Sequence, residues 1–449
     1  MTSARNFGVI AAVAATMLAG CSTFSKVSSL NPFHGKKVAS TASRGARIPV
    51  IALDDQLKVA GALKGQDFFI PPPVAVADWP LPGADREQSI EHVAAAPAFQ
   101  IAWRKRFGVG YARRRHVMAP PIAAGGRLFV MDGGATVSAH DERTGAQVWR
   151  ANIRPRSKRD RDGYGGGLAF ADGKLYVSSG FREVVELDAG TGALIWRART
   201  EAPVHAAPTV AGGRVYVADV NDELLAFDAV TGNPSWTYQA LTEPARILEA
   251  SSSAVANDTV VTSFASGELV AVRASNGNEL WNASLSRASR TNALSEIRDI
   301  AGRPVVYKND VYAVSHSDVF AAVDLRTGVG RWTLPVSATT TPWPSGDVVF
   351  VVDQSGEVIC VSRESGQIYW IKDLNAGRKK KKRAYWSSPI LASNRLITVS
   401  TKGEAVALDP KTGAIERTLR LGAPATIGPI AAGGMIYVIT DQAQLVAIR

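Results

Sequence analysis

One eleven-residue pattern is written into this chain again and again. Its fullest copy runs Ala226-Phe227-Asp228-Ala229-Val230-Thr231-Gly232-Asn233-Pro234-Ser235-Trp236, or small-apolar-Asp-x-x-Thr-Gly-x-x-x-Trp. It returns at Asp141 to Trp149, Asp188 to Trp196 and Asp324 to Trp332, and without the acid at Gly277 to Trp281 and Gly366 to Trp370. A last copy, with Asp409 and Gly413, has Arg417 in the tryptophan position. A repeat of this period constrains architecture more than composition does, because each unit buries its apolar face against the next.

The spacing follows from strand and turn chemistry. Glu223 to Phe227 is an apolar run of strand character. The Asp-x-x-Thr-Gly stretch is a tight turn, in which Asp and Thr side chains bond nearby N–H groups and Gly supplies positive φ. The chain then returns in a strand carrying Trp236, which makes a hairpin. Ahead of it lie another strand, Gly213 to Asp219, and a short one, Ala206 to Ala211. Four strands per repeat predict a propeller blade. The key glycines (145, 192, 232, 277, 328, 366 and 413) are 38 to 51 residues apart, as propeller repeats require. The strand Gln444 to Arg449 comes last, where another turn and Trp strand would follow. That strand is supplied from the other end by Gln100 to Phe107, with Trp103 lying 46 residues before Trp149. The expected fold is all-β: an eight-bladed β-propeller over residues 98–449. An N-terminal strand completes the last blade, closing the ring and removing an open edge.

Residues 1–20 have the anatomy of a signal peptide: Arg5, an apolar run from Phe7 to Met17, then Leu18-Ala19-Gly20-Cys21. The run is too short to span a bilayer. Leu-Ala-Gly-Cys resembles the bacterial lipobox, which implies cleavage before Cys21 and lipidation there. Ser22 resembles the residue of lipoproteins sent on to the outer membrane. The alternative is an ordinary secretory peptide with a chance cysteine. Residues 21–97 carry no blade pattern. Ser22 to Arg47 reads as a flexible tether. Phe68 to Gly83 reads as an extended segment on the propeller surface, since Phe68, Phe69 and Trp79 are costly to leave in water, with a disordered linker as the alternative. Cys360, in an apolar strand, reads as a buried and inert thiol.

The formal net charge is +11, and its placement says more than its size. Arg113-Arg114-Arg115 follows Trp103, and Arg154, Arg156, Lys158, Arg159 and Arg161 follow Trp149. Arg287 and Arg290 follow Trp281, and Arg378-Lys379-Lys380-Lys381-Lys382-Arg383 follows Trp370. In a propeller these equivalent connections emerge on one face, which should be strongly positive. Either they are solubility loops or they meet an anionic partner: an acidic protein, lipid phosphates or a polyanion. The export signal argues against nucleic acid.

No catalytic constellation accompanies the repeat. The six histidines stand singly, without metal-ligand spacing. Gly-x-Ser-x-Gly and P-loop patterns are missing. The Gly-rich loop from Asp162 to Gly167 lacks the Lys and helix that phosphate binding needs. The blade aspartates read as turn caps, so no enzyme, cofactor or metal is expected.

Ala-x-Asp-x-x-Thr-Gly-x-x-x-Trp resembles the repeat of the quinoprotein-like propellers. Lipobox, eight such blades and a final strand ending the chain together resemble the BamB family, lipoproteins of the outer-membrane β-barrel assembly machinery. The resemblance implies a scaffold anchored through Cys21 to the outer membrane and facing the periplasm. It would dock on a POTRA domain of the insertase BamA, beside the machine's other lipoproteins, and assist assembly and insertion of outer-membrane proteins. Unfolded outer-membrane proteins would be further partners. The family's docking loops map onto Pro244 to Glu249, with Arg246, Ile247, Leu248 and Glu249, and onto Leu294 to Ile300, with Asp299 the best match. Ile247 and Leu248 would supply an apolar anchor, or else pack under their own loop, while Asp299 and neighbouring charges would set register. Arg246 and Glu249 depart from the family pattern. Two other functions share the repeat: an envelope-polymer-binding propeller and a PQQ-dependent dehydrogenase. The resemblance to the dehydrogenases would imply adjacent cysteines, a Ca²⁺ site and a catalytic Asp, and this chain has no adjacent cysteines.

Overall fold

The computed structural model describes residues 57–112, 115–155, 163, 165–243, 247, 251–286 and 297–449. Cys21, the leader, the tether, Arg113, Arg114, Arg246, Leu248, Glu249 and the cations between 156 and 161 and at 287 and 290 lie outside the described residues. The described chain forms eight four-stranded antiparallel sheets. In the third blade the innermost strand, Thr209–Ala211, turns at Gly212 and Gly213 into Arg214–Ala218, followed by Glu223–Asp228 and the outermost Pro234–Gln239. Counted along the chain, blades one to seven occupy 122–152, 166–199, 209–239, 254–284, 305–334, 343–373 and 390–420. Blade eight joins Ile430–Ala432, Met435–Ile439 and Gln444–Ile448 to the N-terminal strand Ile101–Arg106. Gln100 and Arg449 exchange both backbone hydrogen bonds, at 3.0 and 2.8 Å. The ring is closed as the repeat predicts.

The repeat joins blades as well as shaping them. Asp228 accepts the backbone N–H and the hydroxyl of Thr231 at 2.8 and 2.9 Å, and these bonds hold its carboxyl below the usual range. Gly232, at φ 71°, sits against the tryptophan of the preceding blade: a Cβ there would lie 2.6 Å from the Trp196 indole. The Trp196 indole N–H in turn donates to the Ala229 carbonyl at 3.1 Å. Equivalent glycine–tryptophan contacts run from Gly145 with Trp103 to Gly413 with Trp370. Each motif is thus a clasp, its glycine serving one neighbour and its tryptophan the other. This accounts for Arg417, which lies on the outermost strand of blade seven. Blade eight takes its third and fourth strands from opposite ends of the chain, so it has no Asp-x-x-Thr-Gly turn for an indole to cover.

The segment before the propeller departs from the expected surface strap. Residues 74–96 bond to the innermost strands, or the turns after them, in seven blades. Trp79 and Ala123 exchange backbone bonds at 2.6 and 2.9 Å, and Phe170 N–H donates to Pro80. Val255, Val306 and Gly433 donate to Arg86, Glu87 and Val76; Val93 donates to Leu391, and the Trp343 indole donates to Glu91. An innermost strand presents an unpaired edge to the axis. The segment pairs these edges and plugs the axial opening on the side of the Asp-x-x-Thr-Gly turns. Trp79 is 1% exposed and stacks on Trp343, with ring centroids 6.4 Å apart. Cys360 is fully buried, and burial pushes its thiol pKa up.

Candidate functional site

With four antiparallel strands per blade, the connections from each outermost strand to the next innermost strand share the face opposite the Asp-x-x-Thr-Gly turns. The two loops expected to dock are neighbours on that face, leaving blades three and four. The structure brings Ile247 and Asp299 together: the Asp299 carboxylate accepts the Ile247 backbone N–H at 2.7 Å. Both line one pocket with His205, Asp219 and Asp222. Asp299 is 5% exposed, so its carboxylate ties the two loops to each other from inside the joint. Among the described residues of the two loops the outward groups are Arg298, which is exposed, and the partly exposed Ile247 and Ile297. Nothing in the local sequence separates a buried tying aspartate from an exposed one, so sequence marks Asp299 and passes over Arg298.

Asp219 in that pocket accepts the Asn221 and Glu223 N–H groups on Oδ1, at 2.8 and 3.1 Å, while Oδ2 has no hydrogen-bond partner among the described residues. Burial, with smaller contributions from Glu223 and Asp222, pushes its pKa up to about 6. The unfolded carboxyl releases its proton near pH 4. Between roughly pH 4 and 6 the folded protein therefore holds a proton that the unfolded chain has lost, and stability falls as pH rises through that window. Asp219→Asn is expected to remove a pH-dependent loss on the order of 2 kcal/mol. Urea unfolding at pH 4.5 and pH 7 checks this: an unchanged difference in the variant would show that Asp219 is not the titrating group.

The basic run is built as a pinned loop. Asn375 donates to the Ser355 and Ala384 carbonyls at 2.7 and 2.9 Å and accepts the Ala384 N–H at 2.9 Å. Arg378 pairs with Glu404 at 2.8 Å and lies over the Trp386 ring at 5.8 Å, so it braces the loop instead of extending from it. Lys379, Lys380, Lys381, Lys382 and Arg383 are exposed, with a single 3-10 turn at Lys380–Lys382 and no ion pair among the described residues. Arg115 is exposed on another connection of the same class. Arg115 and residues 379–383 thus place exposed positive charge on two of these connections.

A family profile described as outer membrane protein assembly factor BamB matches residues 133–372 and 377–449. This chain belongs to that family. The assembly factor BamB of Burkholderia pseudomallei (strain K96243) is 24% identical over 331 residues, covering 73% of this chain and 83% of that protein. The crystal structure of BamB from Moraxella catarrhalis matches with a TM-score of 0.66 at 18% identity, over 78% of this chain and 99% of that one. A quinohemoprotein alcohol dehydrogenase from Comamonas testosteroni matches with a TM-score of 0.65 at 14% identity, over 82% of this chain and 80% of that one. At such identities both structures share the fold, and the family profile decides between them. The described residues offer no ligand set for a quinone with its calcium ion. Among the described residues no group of three or more His, Cys, Asp or Glu side chains could hold a metal, and the plug floors the axial opening. No helix among them is long and apolar enough to cross a membrane.

Proposed function

We propose that this protein is a non-catalytic scaffold of outer-membrane protein assembly, docking through its connection-loop face on a POTRA domain of a BamA-like insertase. Lipidated Cys21 would hold it to the outer membrane, facing the periplasm, beside the other assembly-machine lipoproteins. Unfolded outer-membrane proteins would be its further clients. The observation that carries the docking surface is the Asp299–Ile247 bond. It joins loops 52 residues apart in sequence into one patch, with Ile247 and Ile297 as apolar contacts and Arg298 as the neighbouring charge. An apolar centre with a charged rim is the arrangement in which a few residues carry most of a binding energy. Leu248, Arg246 and Glu249 belong to the same proposed patch. The exposed lysines from 379 to 382 favour an acidic surface on the partner side.

The test is the affinity of purified POTRA domains for wild type, for an Ile247→Asp, Arg298→Glu variant, and for Arg326→Glu on the opposite face. The loop-face variant should bind at least tenfold more weakly, about 1.4 kcal/mol, and Arg326→Glu should bind like wild type. Equal affinity in all three would remove the docking patch. No binding by wild type would remove the scaffold reading and leave the envelope-polymer binder.

A further inference from the structure

The axial opening holds a positive charge that no group in the described protein answers. Between the plug and the connection-loop face the innermost strands line a half-open cavity of about 150 Å³, bordered in part by Arg303, Thr341, Ser388, Thr339 and His205. A second cavity below it reaches Trp79, Pro82 and Gln88 of the plug, and Arg303, Thr341 and Ser388 border both. Arg303 enters from the connection leading into the innermost strand of blade five, where its backbone N–H donates to Thr341 Oγ1 at 3.2 Å. Its guanidinium forms no ion pair and no hydrogen bond among the described residues, and its Nε is buried without a partner. The surface Arg303 keeps is cavity wall, and enclosure by protein pushes its pKa down to about 10.

Such a group is expensive. A buried cation without a counter-charge destabilises a fold, and an apolar side chain of similar size would pack there at less cost. The neighbouring hydroxyls point the same way. Thr341 Oγ1 accepts the Arg303 N–H, and Ser388 Oγ accepts the Thr341 N–H at 2.8 Å. Each hydroxyl thus spends an acceptor position on the backbone and keeps its own proton with no acceptor among the described residues. One cationic fork and two hydroxyl donors border the same space and lack anything to donate to.

We propose that the axial cavity is a binding site for a small monovalent carboxylate, held by the Arg303 guanidinium and the Thr341 and Ser388 hydroxyls. One negative charge balances the one positive charge, whereas a phosphate dianion would leave a net charge buried in low dielectric. Two coplanar oxygens match the guanidinium fork. A cavity near 150 Å³ accepts a ligand of about benzene's size, which admits acetate or benzoate and excludes a nucleotide.

Thermal unfolding of the whole mature protein in sodium acetate, sodium chloride or sodium phosphate, at matched ionic strength and pH 7, tests the assignment. Acetate should raise the midpoint of wild type in a saturable way, by about 2 °C at ten times its Kd. Arg303→Met should lose that response and, relieved of an orphan charge, melt higher than wild type in chloride. If Arg303→Met fails to fold, Thr341→Val should weaken benzoate binding at least fivefold in titration calorimetry. Equal midpoints for wild type in acetate and chloride, or an unchanged response in Arg303→Met, would overturn the site. That result would leave Arg303 to pair with Gln88 Oε1, which also lacks a partner among the described residues. Stabilisation by phosphate alone would overturn the carboxylate assignment.

Discussion

Trp79→Ala is expected to lower stability by about 3–5 kcal/mol, the range for truncating a fully buried large aromatic. Trp79 lies well before the first blade in sequence, yet it is 1% exposed, packs in the axial core and stacks on Trp343. Its indole N–H donates to the Pro82 carbonyl at 3.2 Å, and its backbone pairs with Ala123 in both directions. Removing the ring opens a space between plug and blades that the paired backbone holds apart. Urea unfolding should show the lower midpoint in a single transition. A midpoint shift worth less than about 0.5 kcal/mol, the scale of a neutral surface change, would mean that the plug is not part of the cooperative fold.

The second large effect is expected at the blade clasp. Gly232→Val combines two penalties. A β-branched residue must adopt φ 71°, which costs about 1–3 kcal/mol. Its Cβ would also meet the Trp196 ring at 2.6 Å, an overpacking of typically 1–3 kcal/mol. The sum is about 3 kcal/mol or more. Gly212→Ala provides the comparison, because Gly212 has φ 57° and nothing lies within 4 Å of an added Cβ. That variant should lose about 1 kcal/mol through backbone strain alone. Similar losses in the two proteins would show that the glycine answers a turn requirement and not the neighbouring tryptophan.

What was legible in the sequence is what local chemistry carries. Asp228, Thr231, Gly232 and Trp236 form hairpin, turn cap and blade contact within eleven residues, so blade number and ring closure followed from counting. Arg417 was visible as an exception, but its reason required knowing that the next blade lacks the turn. The plug was less legible. Its residues from Val74 to Ala96 have neither strand alternation nor repeat, because their bonds to the propeller are spread over seven blades. A polyproline-like segment of this kind looks the same whether it lies on a surface or fills an axis. Phe68, Phe69 and Trp79 hinted at burial, and Phe68 and Trp79 are buried while Phe69 is 59% exposed.

The site was partly legible for the same reason. Family resemblance marked two loops, and Ile247 and Asp299 do meet. Sequence could not reveal that Asp299 turns inward, because its partner is a backbone N–H from another connection. Arg378 is similarly one of six equivalent cations in sequence, and only the fold sets it against Glu404 and Trp386. Nothing local distinguishes Arg303 among 51 Lys and Arg residues; only the ring of innermost strands makes it axial.

The most direct test of the scaffold account is hydrogen exchange on the wild-type protein, alone and saturated with POTRA domains of a BamA-like insertase. Slower exchange is predicted at the amides around Ile247, Ile297 and Arg298, with none at the Asp-x-x-Thr-Gly turns of Asp228 or Asp324. Protection confined to those turns, or no protection at saturating partner, would contradict docking through the connection-loop face.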